Sequence, residues 1–144
     1  MKRNLAVIAM FCVCAFAVQA VAQEHYTEGP VWRVTLIKVK ANQFDNYMKS
    51  LRESTKPLFD EAKKQGLVLD YKVYLKATSE NDKDWDVSVA VLYKNFAALD
   101  GLEAKMDAIQ EKMGGQMAAQ QTGEKRVAMR EIVSSFLLRE VTLK

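Results

Sequence analysis

The sequence predicts a single α+β domain in which strands and helices follow the order β-α-β-β-α-β. Two segments, residues 67–76 and 85–94, alternate apolar and polar residues as half-buried strands do. In two other segments the apolar residues recur every three or four positions, which is the spacing of an amphipathic helix. Glycines then end these helical segments, at Gly66 and at Gly114-Gly115.

Residues 1–22 are predicted to be a cleaved secretory signal peptide. Lys2 and Arg3 precede an uncharged apolar stretch, and Ala20 and Ala22 supply the small residues that signal peptidase requires. Cleavage after Ala22 is favoured over cleavage after Ala20. The apolar stretch is shorter than the ~20 residues of a membrane-spanning helix. We therefore expect an exported protein, periplasmic or secreted, with no stable membrane anchor after cleavage.

Cleavage at this point limits the chemistry of the mature chain. Both cysteines, Cys12 and Cys14, lie in the signal segment, so disulfides, thiolate catalysis and cysteine metal sites are excluded. The segment also holds two of the 21 basic residues and none of the 18 acidic ones, so the mature chain has 19 basic and 18 acidic residues. Because no basic block or stripe remains, nucleic acid is not expected as a partner.

Residues 23–30 are predicted to form a flexible N-terminal arm before the folded domain, residues 31–144. The arm is polar and ends in Gly29-Pro30. It contains His25, the only histidine of the chain. With one histidine and no cysteine, no metal site is expected. No nucleophile–base pair is recognisable either, so the catalytic residues stay unknown and no cofactor is predicted.

The first strand and the first helix are predicted from local patterns. Residues 31–40 are rich in β-branched side chains and fit a strand. Asn42 is predicted to cap the helix, and Gly66 to end it. Pro57 lacks a backbone donor, so a kink is expected near residues 54–56.

The second half of the domain begins with a hairpin. Residues 67–76 and 85–94 are its strands, joined by a polar turn. Asn95 is predicted to cap the second helix. Residues 114–123 are predicted to form a weakly organised loop, for which a lid and a tolerant surface insertion are the two interpretations. Helix is expected to resume over residues 124–133, before a last strand over residues 135–143.

This element order is that of a ferredoxin-like plait, an antiparallel sheet with both helices on one face. The chain resembles the dimeric α+β barrel superfamily, which includes antibiotic biosynthesis monooxygenase-like proteins. The elements that carry the resemblance are the strands V-W-R-V-T-L-I-K-V-K and F-L-L-R-E-V-T-L, the helix from Asn42 to Gly66, the hairpin over residues 67–94 and the helix that begins Y-K-N-F-A-A-L-D-G-L. The resemblance implies a homodimer whose sheets pack face to face. It also implies activities such as cofactor-free oxygenation of phenols, haem binding or small-molecule isomerisation. The chain departs from the haem-binding members, because His25 lies in the arm.

Alternation along each strand separates two sheet faces. The face expected under the helices is apolar and consists of Trp32, Val34, Leu36, Leu69, Tyr71, Val73, Leu75, Trp85, Val87, Val89, Val91 and Tyr93. The opposite face is mixed and consists of Arg33, Thr35, Ile37, Val39, Val68, Asp70, Lys72, Tyr74, Ser88, Ala90, Leu92, Leu137, Arg139, Val141 and Leu143. In a monomer the apolar side chains of the mixed face would be exposed to water, so a second copy of the chain is expected to cover this face.

Five residues of the mixed face are the candidate ligand-binding residues: Arg33, Asp70, Lys72, Tyr74 and Arg139. Together they could hold a small anionic molecule in a partly dry cavity. The alternative is that they form interface salt bridges and rim contacts.

Three functions remain open from the sequence. The first is a homodimer that binds a small molecule in the sheet cavity. The second is a cofactor-independent monooxygenase-like enzyme, whose base would be Asp70, a glutamate or a tyrosine such as Tyr74. The third is a structural or interaction protein of the cell envelope. Because no nucleophile–base pair is visible, binding is favoured over catalysis.

Overall fold

The structure, a computed structural model, describes residues 25–78, 81 and 83–144; the predicted signal peptide lies outside the described residues. Four antiparallel strands form one sheet in the spatial order β2-β3-β1-β4. The strands are β1 (Tyr26–Val39), β2 (Asp70–Leu75), β3 (Val87–Tyr93) and β4 (Arg130–Leu143). This topology confirms the predicted ferredoxin-like plait.

The helix between β1 and β2 is continuous but irregular. It consists of α1 (Phe44–Ser50), a π-helical segment (Leu51–Thr55) and α2 (Lys56–Lys64). Pro57 lies at the start of α2 and cannot donate a backbone hydrogen bond, so the helix widens in the turn that precedes it. The irregularity was predicted at residues 54–56 and occupies Leu51–Thr55.

This helix ends at the predicted residue but begins with a different N-cap. The Gly66 amide (φ 72°) donates to the Lys63 carbonyl, and the Leu67 amide donates to the Ala62 carbonyl. These two hydrogen bonds form a Schellman motif. The predicted stop is therefore confirmed. The predicted cap is wrong: Gln43 holds the N-cap position, and Asn42 has left-handed backbone dihedrals (φ 61°).

The third helix, α3 (Leu102–Met129), contradicts the predicted loop at residues 114–123. Asn95 was predicted to cap this helix, but the N-cap position of α3 is held by Gly101, and Asn95 instead caps a short 3₁₀ turn, Phe96–Leu99, by accepting the Ala98 amide at 3.0 Å. Gly114 and Gly115 depart from helical dihedrals, but helix resumes at once and continues to Met129. The predicted break is thus a kink. Alanine, glutamine, glutamate and lysine dominate the part of α3 beyond it and favour helix.

Residues 26–30, predicted as part of a flexible arm, belong to β1 instead. Tyr26 lies opposite Leu143, and Glu28 lies opposite Val141, so the polar segment is held by the end of β4. A bulge lies next to them at Gly29-Pro30, where a Cβ on the glycine would lie 3.2 Å from the Glu140 carbonyl oxygen. Proline has no N–H to donate to a neighbouring strand, and a bulge is a place where that hydrogen bond is not required. The Gly-Pro dipeptide therefore fits within this strand.

The predicted strand phases hold within β2 and β3 but are reversed for β1 and β4. Ahead of β2 the prediction is also wrong, because Val68 is buried in the core under the helices and Leu69 is 45% exposed; both residues precede the strand and do not follow its alternation. Val31 and Ile37 lie opposite Tyr93 and Val87, and all four are buried under the helices. The side chains of Trp32, Val34 and Leu36 therefore lie on the other side of the sheet. Because β1 carries apolar residues in both phases, its own alternation does not decide which phase is covered; the register against β3 does.

We call the side of the sheet that the helices leave uncovered the open face. It consists of Trp32, Val34, Leu36, Asp70, Lys72, Tyr74, Ser88, Ala90, Leu92, Phe136, Leu138 and Glu140. Tyr74, Phe136 and Leu138 are 48%, 39% and 50% exposed. A single chain thus leaves apolar surface in water on this face. No helix in the described part of the chain has the length and apolar character needed to cross a membrane.

Candidate functional site

The five residues predicted to bind a ligand do not converge. Arg33 and Arg139 lie on one side of the sheet, as expected from the neighbouring positions of β1 and β4, but this is the helix-covered side. Asp70, Lys72 and Tyr74 lie on the open face. The prediction assumed the wrong phase for β1 and β4, and a one-residue change of phase moves every side chain of a strand to the other face.

Four of these side chains have partners within the fold. Asp70 accepts a hydrogen bond from Lys63 at 2.8 Å, which lowers the pKa of the Asp70 carboxyl. The Lys72 ammonium lies 5.6 Å from the centre of the Trp32 ring. The remaining contacts are those of Arg33 with the Tyr93 ring, and of Arg139 with the Phe96 ring and the Glu28 carboxylate.

A different polar group, which we call the arginine cluster, lies between the sheet and the helices. It consists of Arg126, Arg130, Tyr47, Ser50 and Thr55. Arg126 donates from Nη2 to Thr55 Oγ1 at 2.8 Å and from Nε to Ser50 Oγ at 3.5 Å. Arg130 donates from Nη1 to Tyr47 Oη at 3.3 Å, and its guanidinium carbon lies 5.6 Å from the Tyr47 ring centre.

The positive charge of the arginine cluster is not neutralised by the part of the chain that the structure describes. Among residues 25–78, 81 and 83–144, no carboxylate forms a salt bridge with Arg126 or Arg130. Burial, together with the neighbouring charge of Arg130, lowers the pKa of the Arg126 guanidinium. Burial also raises the pKa of Tyr47, although both arginines oppose that shift, so its hydroxyl stays protonated at neutral pH. Two adjacent cations with only hydroxyl partners form an anion-binding arrangement.

Four members of the cluster, all except Ser50, form the polar end of a cavity of about 210 Å³ between the sheet and the first helix. The rest of the lining is mainly apolar and comprises Thr35, Ile37, Leu51, Phe59, Val89 and Ile132. An apolar cavity with a few convergent polar groups is the usual form of a small-molecule site.

The π-helical segment explains why the two hydroxyls meet one guanidinium. Ser50 and Thr55 are five residues apart: Ser50 directly precedes this segment, and Thr55 is its last residue. In a regular α-helix, positions five apart point in different directions, whereas a π-helical turn brings them closer to one side. The widened turn that precedes Pro57 thus directs both hydroxyls towards Arg126.

The sequence did contain a signal for this cluster. Arg126 and Arg130 are four residues apart, and no acidic residue lies three or four positions from either of them. Opposite charges three or four positions apart stabilise a helix, and Arg126, in the last turn of α3, has no such partner in the sequence. The signal was missed because residues 114–123 were predicted as a loop, which left the helix through Arg126 without a defined face.

A second polar group, on the surface of α2, is structural. Tyr71 donates to Asp60 Oδ1 at 2.6 Å, and Lys56 donates to Asp60 Oδ2 at 2.5 Å. These hydrogen bonds lower the pKa of Asp60. Burial and the bond to Asp60 raise the pKa of Tyr71 to about 12.

This pair predicts a contribution to stability that is lost at alkaline pH. The pKa of Tyr71 is 10.0 in an unfolded chain and about 12 in the folded one, so the folded protein holds this proton more tightly. The stabilisation is complete below pH 10 and is lost as the pH rises to about 12. Tyr71→Phe should therefore lose stability less steeply over this window, measured by urea-unfolding midpoints. Tyr74→Phe, on the exposed part of β2, is the control, and equal slopes for Tyr71→Phe and the wild type would contradict the prediction.

Comparisons with known proteins give the fold only. The sequence matches no protein-family model, and no curated protein sequence matches it significantly. Among solved structures, the chain is similar to HapK from Hahella chejuensis, with 12% identity over 76% of this chain and 91% of that one, and a TM-score of 0.50. This similarity agrees with the ferredoxin-like topology described above.

Two further solved structures are similar at lower TM-scores. A protein from an uncultured marine organism, described as a dimeric ferredoxin-like protein, shares 12% identity over 82% of this chain and 90% of that one, with a TM-score of 0.46. Protein SO0527 from Shewanella oneidensis shares 16% identity over 82% and 97%, also with a TM-score of 0.46.

Proposed function

We propose that this protein is an exported homodimer that binds a small organic anion at the arginine cluster. One observation carries the proposal: within the described part of the chain the hydrogen-bond partners of Arg126 and Arg130 are hydroxyls, and both guanidiniums lie at the end of a mainly apolar cavity. A carboxylate placed between them would accept charge-assisted hydrogen bonds, which are about twice as strong as neutral ones. It would also relieve the repulsion between two adjacent cations.

The cavity supports an organic anion rather than a bare ion. Its apolar lining, which includes Ile37, Leu51 and Val89, offers contact to carbon atoms next to the anionic group. At about 210 Å³ it is smaller than the ~300–1,000 Å³ of typical ligand sites. The part of the ligand within it is therefore small, a carboxylate with a few carbons.

The monooxygenase-like alternative lacks a base beside this cavity. Asp70 and Tyr74 lie on the open face, across the sheet from the arginine cluster. Burial raises the pKa of Tyr47, the tyrosine within the cluster, so its hydroxyl stays protonated at neutral pH and is not available as a base. These positions favour binding over proton abstraction.

A titration followed by NMR tests the proposed anion site. Added propionate should shift the side-chain Nε–H signals of Arg126 and Arg130 saturably, because the carboxylate accepts hydrogen bonds from both. Propionamide, which has the same shape without the charge, should shift neither. The proposal fails if propionate leaves both signals unchanged, or if propionamide has the same effect.

The homodimer is proposed because the open face needs a cover. Its apolar side chains, Phe136 and Leu138 among them, are exposed in one chain. The same face carries Lys72, whose ammonium lies over the Trp32 ring, and Glu140, whose carboxylate accepts a hydrogen bond from the Trp32 indole N–H. A face that holds both charge signs can pair opposite charges when two copies meet around a twofold axis.

Export rests on the pattern of residues 1–22. A basic start, a short apolar stretch and small residues at Ala20 and Ala22 fit a signal peptide. Mass spectrometry of the protein from a periplasmic extract should give a chain that starts at Gln23. A start at Val21 would move the cut to Ala20, whereas an intact chain confined to the cytoplasm would contradict export.

A further inference from the structure

A second cavity, which we call the α2–α3 cleft, opens next to the arginine cluster. Its volume is about 430 Å³. Leu58 lines one side, and Met113, Ala118 and Gly123 line the other. Arg126 lines both this cleft and the smaller cavity under the π-helical segment. The two cavities therefore meet at a guanidinium that no carboxylate of the described chain pairs with.

Glycines shape the wall of the cleft on the α3 side. Gly115 has a φ of 80°, which a residue with a side chain rarely adopts, and it turns α3 away from its first axis. Gly123 lies further along the same wall, and a Cβ built there would meet no atom within 4 Å. The space in front of this wall is open, and the backbone itself forms the contact surface.

The lining of the cleft combines polar and apolar side chains. Its polar members besides Arg126 are Glu53, Ser54, Gln110 and Thr122. The Thr122 hydroxyl donates to the Ala118 carbonyl at 2.8 Å, and Glu53 accepts a hydrogen bond from Arg52 at 3.1 Å. Leu58, Met113 and Ala118 form the apolar part of the lining, which fits an aliphatic group whose carboxylate end lies at Arg126.

We infer that the ligand is an amphiphilic organic acid, with its carboxylate at Arg126 and Arg130 and its aliphatic body in the α2–α3 cleft. The inference rests on the proposed anion-binding function and adds the shape and polarity of the rest of the ligand. The inner cavity holds only a few carbons, whereas the cleft that continues from Arg126 is about twice as large. A short acid places its few carbons in the inner cavity, whereas a longer acid held by the same guanidiniums places its chain along the glycine wall of the cleft.

Titration calorimetry with decanoate and propionate tests this inference on the wild-type protein. Decanoate should bind at least tenfold more tightly, because only its chain reaches the cleft. Gly123→Leu places a side chain in open space of the cleft, so it should weaken decanoate about tenfold and leave propionate unchanged. Ala118→Leu should do the same from a neighbouring position. The control is Gln121→Leu, which adds the same side chain at an exposed position that does not line the cleft.

The outcomes separate this inference from the function it rests on. Equal affinities for the two acids in the wild type would overturn the amphiphilic ligand while propionate binding kept the anion site intact. The same holds if Gly123→Leu and Ala118→Leu leave decanoate unaffected. If the wild type binds neither acid, the anion site itself fails and the inference falls with it.

Discussion

Val34→Glu is expected to convert the proposed homodimer into a monomer. Val34 lies at the centre of the open face, opposite Ala90 on β3 and Phe136 on β4. In a monomer the new carboxylate would stay in water, but in a dimer it would be buried without a partner. Burial of an unpaired ion costs several kcal/mol, and a twofold interface contains the substitution twice. The dissociation constant of the dimer should therefore rise by at least ~1,000-fold, since each 1.4 kcal/mol is a factor of ten.

Sedimentation velocity measures this effect directly. The wild type should sediment as a dimer and Val34→Glu as a monomer with an unchanged circular dichroism spectrum. Gln121→Glu, which adds the same charge at an exposed position of α3, should remain a dimer. A wild-type monomer, or a dimer in the Val34→Glu protein, would contradict the proposed interface.

Arg126→Gln is expected to weaken propionate binding strongly while the ligand-free protein keeps or gains stability. Hydrogen bonds to charged groups contribute ~1.5–3 kcal/mol, so affinity should fall about tenfold to a hundredfold. The double variant Arg126→Gln, Arg130→Gln should show no measurable binding. Without ligand, removal of one of two adjacent, partly buried cations relieves their repulsion, so unfolding should need as much urea or more.

Calorimetry and urea unfolding together separate binding from structural roles. Arg52→Gln is the matched control, because the Arg52 side chain is 72% exposed and pairs with Glu53 at the surface. It should change neither affinity nor stability appreciably. If Arg126→Gln destabilises the free protein clearly and leaves propionate affinity unchanged, Arg126 is a structural residue and the proposed site is wrong.

The order of elements was predictable because local chemistry determines it. Gly66 illustrates this: only the residues around it are needed for the Schellman motif that ends α2. The kink at Gly114-Gly115 was also visible, but its consequence was not. Whether a glycine pair ends a helix or bends it depends on the helix propensity of the residues beyond the pair, and residues 116–129 favour helix.

Local sequence patterns did not predict which face of β1 is buried, nor did they predict the arginine cluster. Val31 and Ile37 compete with Trp32 and Val34 for burial, and only the register against β3 decides between the two sets. The arginine cluster depends on a contact between Arg126 and Thr55, which are 71 residues apart. It also depends on a π-helical turn, which no periodicity of the sequence announces.

A crystal structure of the protein with propionate tests the central claim most directly. We expect the carboxylate between the guanidiniums of Arg126 and Arg130, within hydrogen-bond distance of both, and its carbons against the apolar cavity lining. Propionate bound instead beside Lys72 on the open face, or absent from the arginine cluster at saturating concentration, would contradict the claim.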